Sequence, residues 1–120
     1  MVTQDLCAVC AVDVTEVDDA LAHLGCTADV LTLDPMSLDE ILDTITRTGV
    51  ATGTSPVAER LVSDLRGRLT GLQERVGDAR QRSTLVLEWT EPAFCAGHWV
   101  PDLVTAGGGA PVLALSLIHI

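Results

Sequence analysis

The sequence predicts an α/β protein with parallel strands joined by crossover helices. Two observations lead there. Short β-rich runs alternate with amphipathic helical stretches along the 120 residues, which is the pattern of strands packed under helices. In addition, residues 85–109 (LVLEWTEPAFCAGHWVPDLVTAGGG) run from an apolar β-rich stretch through an aromatic loop to a short apolar helix and three glycines. The length suffices for one domain with a modest core.

Each element follows in turn. Residues 2–4 read as the tail of a strand, and residues 5–12 as a loop or tight turn carrying Cys7 and Cys10. Residues 15–24 form a helix with Val17, Ala20, Leu21 and Leu24 at helical spacing, Thr15 at its start and Gly25 just past its end. Residues 29–33 form a short strand that Asp34-Pro35 breaks. Ser37 and Glu40 match a capping box for a second helix, whose stripe is Leu38, Ile41, Leu42 and Ile45 and which ends in residues 49–53.

Ser55 caps a third helix, with Pro56 at the favoured first position. Its stripe of Val57, Leu61, Leu65, Leu69, Leu72 and Val76 steps by three or four and predicts one helix roughly 30 Å long. Gly67 and Gly71 each cost about 1 kcal/mol there, so their spacing suggests a neighbouring backbone packed close. Residues 77–81 connect to a strand at 83–88, residues 100–106 form a short helix, and a further strand begins at 111–113.

Composition narrows the function classes. The net charge is −10 and lysine is absent, which argues against a nucleic-acid partner. No apolar run approaches the ~20 residues of a membrane span, and no signal peptide is visible at Met1. The last six residues, LSLIHI, match the conceptual translation of a transposon-end sequencing adapter (CTG TCT CTT ATA CAC ATC). The natural sequence is then expected to stop near Ala114, and His119 receives no role.

All three aromatic residues, Trp89, Phe94 and Trp99, lie within one loop window, with His98 among them. Aromatics where a strand gives way to a helix make a stacking surface for a large planar ligand. The alternative is that the two tryptophans anchor the core and the glycines cap a helix. Cys7-x-x-Cys10 supports three readings: small residues lining a turn or ligand, a redox pair, or half a metal site. A zinc site would draw on Cys26, Cys95, His23 or His98, none of which has a close-spaced partner. No serine sits in a nucleophile elbow, Glu88 and Glu91 do not by themselves make an acid/base pair, and Gly107 to Gly109 follow a helix instead of opening one.

Three pieces carry a family resemblance: VTQDLCAVCAV at 2–12, VLTLDPMSLDEILDTI at 30–45 and LEWTEPAFCAGHWVPDLVTAGG at 87–108. Together they resemble the substrate-binding proteins of bacterial ABC importers that handle cobalamin, ferric siderophores and haem, most closely the cobalamin-binding subgroup. The likeness extends over nearly all of residues 2–114. It implies a fragment of a two-lobed periplasmic-binding-protein fold with parallel sheets and a single long interlobe helix. Residues 1–54 would be part of the N-terminal lobe, 55–77 the interlobe helix, 78–114 the start of the C-terminal lobe and 115–120 the adapter.

The resemblance further implies a non-catalytic protein without a resident cofactor. It would carry cobalamin or a related corrinoid or metal chelate to an ABC permease, outside the cytoplasm and as a monomer at full length. Its ligand-binding residues would be Gln4, Cys7, Trp89, Phe94, His98 and Trp99. The competing class is a CxxC thiol redox protein or enzyme of α/β fold. A third reading is a structural α/β fragment with no function of its own.

Overall fold

A computed structural model describes residues 1–4 and 14–113. The Cys7-x-x-Cys10 turn and the LSLIHI terminus lie outside the described residues. The order is β1 (Val2–Gln4), α1 (Val14–His23), β2 (Leu31–Leu33), α2 (Leu38–Ala51), α3 (Ser55–Val76), β3 (Arg82–Thr84), β4 (Leu87–Thr90), β5 (Ala93–Cys95), α4 (Val100–Ala106) and β6 (Gly109–Pro111).

Two parallel strand pairs frame the chain. In the first unit β1 pairs with β2, with Gln4 beside Leu33 at their carboxyl ends, and α1 makes the crossover between them. The helix ends as the sequence predicts: Gly25 sits at φ +62°, Cys26 N–H donates to Leu21 O (3.0 Å) and Gly25 N–H to Ala22 O (3.1 Å). That is a Schellman motif, which satisfies carbonyls the helix end would otherwise orphan. In the second unit β3 pairs with β6, again parallel and again with a helix, α4, before the returning strand.

The helices α2 and α3 form an antiparallel hairpin. Gly49 packs so tightly on Ala58 that a Cβ at Gly49 would overlap the alanine methyl. Towards the other end of the hairpin, Arg66 donates to Asp39 (2.9 Å), joining the middle of α3 to the first turn of α2. Beyond that pair α3 overruns the start of α2 and reaches the second unit. There Gly108, at φ +80°, lies against Val76, whose Cβ would be 2.9 Å from a Cβ at Gly108. The 22-residue helix therefore packs on α2 with its first half and meets the second unit with its last turn.

Several expectations are corrected. The strand expected at 83–88 is two strands. Its first part pairs with β6 and its second turns antiparallel onto β5, with a cis Glu91-Pro92 peptide between β4 and β5. The change of partner follows from how short β6 is. That strand ends at Pro111, which has no N–H to extend a ladder, and after a last bond from Val112 N–H to Thr84 O (3.0 Å) Leu113 turns to positive φ. Past Thr84 the chain therefore pairs with β5 instead.

The N-cap of α3 is Thr54, with Ser55 and Pro56 inside the first turn, and the strand expected from 111 is Gly109–Pro111. Gly67 and Gly71 have open space where a neighbouring backbone was expected: a Cβ added at either would meet nothing within 4 Å. The close approach belongs to Gly49 instead. The α3 stripe is only partly covered: Leu65, Leu69, Leu72 and Val76 are half-buried, while Val57 and Leu61 stay exposed.

Among the described residues the buried apolar set is Leu42, Ala58, Cys95, Ala96 and Ala106, and no large side chain is fully enclosed. The molecule measures 57 × 41 × 15 Å. Among the described residues no helix is long and apolar enough to cross a membrane.

Candidate ligand-binding site

Parallel strands present their carboxyl ends at one edge, and loops after those ends are where α/β sheets take ligands. In the first unit that edge carries Gln4 and Leu33, followed by the buried Pro35. The second unit brings Trp99 to the same place. The two meet in a cavity of about 500 Å³ lined by Val2, Thr3, Gln4, Leu33, Pro35, Ile41, Thr44 and Trp99. Five of these are apolar, three carry hydroxyl or amide groups, and none is charged.

Trp99 is held by the chain around it. It is the N-cap of α4, and its carbonyl accepts from Leu103 N–H (3.3 Å). The preceding His98 sits at φ +52°, in the left-handed region that histidine enters more readily than most residues. Val100 N–H closes the turn onto Gly97 O (3.1 Å). The half-buried indole also lines a second cavity of about 740 Å³ with Leu38, Ile41, Leu42, Leu69, Leu72 and Leu103, rimmed by Arg68 and Arg75. Trp99 thus borders both spaces, one on the strand side of α2 and one between the helices.

The other aromatics stand on the β4–β5 hairpin. Trp89 lies directly opposite Phe94, so the two rings share one face, after a bulge between Leu87 and Trp89. Trp89 is 63% exposed and donates its Nε1–H to Glu91 O (2.9 Å). Phe94 is half-buried beside the buried Cys95. The structure therefore brings Gln4 and Trp99 to one cavity, puts Trp89 and Phe94 on a separate hairpin face, and sets His98 in the turn between them. Cys7 lies outside the described residues.

Val2, Thr3, Leu33, Pro35, Ile41 and Thr44 complete the cavity, and none of them stands out as a site residue in the sequence. The pairing of β1 with β2 was the available signal, since parallel register sets the residues after each strand side by side. Among the described residues no three His, Cys, Asp or Glu side chains converge as a metal site, and Cys26 and Cys95 are both free thiols.

No protein-family model and no curated protein matches the chain. Solved structures do. The periplasmic heme-binding protein RhuT from Roseiflexus sp. RS-1, in apo form, superposes at a TM-score of 0.74 with 17% identity, over 99% of this chain and 46% of its own. S. aureus IsdE complexed with heme gives 0.70 and 19%, over 88% and 43%. The periplasmic vitamin B12 binding protein BtuF of Vibrio cholerae gives 0.67 and 19%, over 90% and 44%. This chain spans less than half the length of each. Its fold is the α/β fold of the two-lobed periplasmic binding proteins.

Proposed function

We propose that this chain is part of the substrate-binding component of an ABC importer and that it captures a corrinoid, cobalamin foremost, between two lobes. The observation that carries the reading is the cavity shared by Gln4 of the first α/β unit and Trp99 of the second. The fold neighbours named for vitamin B12 and heme support the ligand class. The lining supports the choice within it. Heme carries carboxylates, which call for cationic partners when desolvated, and among the described residues no Arg, Lys or His lines this cavity. A net charge of −10 opposes anionic ligands further. Cobalamin offers a broad apolar face and a rim of neutral amides, which suit apolar walls interrupted by Thr3, Gln4 and Thr44.

In this reading residues 1–54 belong to the first lobe, 55–77 join the lobes and 78–114 open the second. Gln4, Cys7, Trp89, Phe94, His98 and Trp99 face the ligand, which is cargo and not a cofactor. The protein acts outside the cytoplasm, as a monomer that delivers to a permease, and performs no catalytic step. Isothermal titration of the full-length protein with cobalamin, hemin and a ferric hydroxamate tests it. Cobalamin should bind tightest. Binding of hemin alone would move the assignment to heme, and binding of none of the three would overturn it.

A further inference from the structure

One hydrogen bond ties the two α/β units together within a turn of this cavity. Asp102, in the first turn of α4, accepts from the backbone N–H of Leu38 through Oδ2 at 2.9 Å, across 64 residues of sequence. Leu38 is the first residue of α2. Part of that helix's N-terminus is satisfied locally: Ser37 Oγ accepts from Glu40 N–H (3.2 Å), and Ser37 O accepts from Ile41 N–H in the first helical bond (3.1 Å). The Glu40 carboxylate turns back onto Met36 N–H (2.6 Å). Leu38 N–H has none of these partners, and Asp102 supplies one from the other unit. A carboxylate there also meets the positive end of the α2 dipole and lies in a pocket shared with Arg66.

The placement matters because of what sits one turn away on each helix. Trp99 is three residues before Asp102, and Ile41 is three residues after Leu38; both line the cavity with Gln4. We propose that Asp102 is a positioning residue: by capping α2 it fixes the start of α4, and with it Trp99, against the first unit. The proposal rests on the cavity being the ligand site only for its effect on affinity; the effect on Trp99 itself is independent.

The test is amide exchange and indole NMR on the protein with Asp102→Ala, Asp102→Asn and Leu38→Pro. Asp102→Ala should speed exchange at Leu38 N–H by roughly fivefold or more. It should also shift the Trp99 indole N–H resonance while leaving that of Trp89 in place. Asp102→Asn keeps an oxygen acceptor and should restore most of both signals. Leu38→Pro removes the donor at a helix position that accepts proline, after a Ser37 already extended at φ −135° and ψ 165°. Adding Asp102→Ala to it should move Trp99 no further. Unchanged Leu38 exchange and an unmoved Trp99 in Asp102→Ala would overturn the proposal. So would an additive double variant; if the alanine variant fails to fold, Leu38→Pro alone decides the matter, and a Trp99 resonance that it leaves unmoved would overturn the proposal. With cobalamin, Asp102→Ala in the full-length protein should weaken binding about threefold or more, and Asp102→Asn less. No cobalamin binding by the wild type, with the NMR effects present, would sink the corrinoid reading and leave Asp102's role standing.

Discussion

At the scale of single residues, the cavity is built from side chains that chemistry alone would not rank together. Gln4 is an exposed strand end and Pro35 a buried chain break, yet both line one wall. If Gln4 hydrogen-bonds a ligand amide, Gln4→Ala should weaken cobalamin binding by about two- to tenfold, the range of one neutral hydrogen bond. Glu74→Ala, on an exposed part of α3, should leave the titration unchanged. The aromatic window was legible because three aromatics in 120 residues fall within eleven positions. Their separation onto two surfaces was not. It depends on the β4–β5 register, which pairs Trp89 with Phe94, and on the left-handed turn at His98, which sends Trp99 elsewhere.

At the scale of elements, periodicity marked α1, α2 and α3, because each has an apolar stripe that tertiary contacts did not override, while the short α4 was read only as an apolar stretch ahead of three glycines. The Ser37 cap and the Gly25 stop were readable to the residue. The strands were harder. An apolar run such as TLVLEWT has no internal mark for a change of partner, so the switch from β6 to β5 was invisible. The glycines of α3 carried a wrong message for the same reason: spacing shows what a neighbour could use, not whether one is there.

Two stability measurements separate these cases. Gly49→Val forces a side chain into Ala58 and should lower stability by about 1–3 kcal/mol. Gly67→Ala meets nothing within 4 Å and should raise it by roughly 0.5–1 kcal/mol. Urea midpoints moving in opposite directions would bear out the packing; a destabilised Gly67→Ala would mean that something covers that face of α3. The Asp39–Arg66 pair is exposed at both ends, and removing it should cost less than about 1 kcal/mol.

At the scale of the whole molecule, the dominant fact is how little is enclosed. The radius of gyration is 17.6 Å, against about 14 Å for a compact chain of this length. Leu61, Leu85, Leu87 and Trp89 stand exposed accordingly. The 120 residues alone should therefore bind a hydrophobic dye such as ANS and titrate weakly with any chelate, whereas a protein with both complete lobes should do the opposite. Length suggested a modest core, but its fate was not legible, since burial depends on long-range partners that a local pattern does not describe.

In the proposed function, Trp99 of one α/β unit and Gln4 of the other serve a single ligand. Calorimetric titration of full-length protein with cobalamin, wild type against Trp99→Ala, tests it most directly. Stacking of one indole is worth about 0.5–1.5 kcal/mol beyond the area it buries. The dissociation constant should be at least about tenfold weaker in the variant, tenfold being about 1.4 kcal/mol. Equal affinity in the two proteins, both folded, would contradict it.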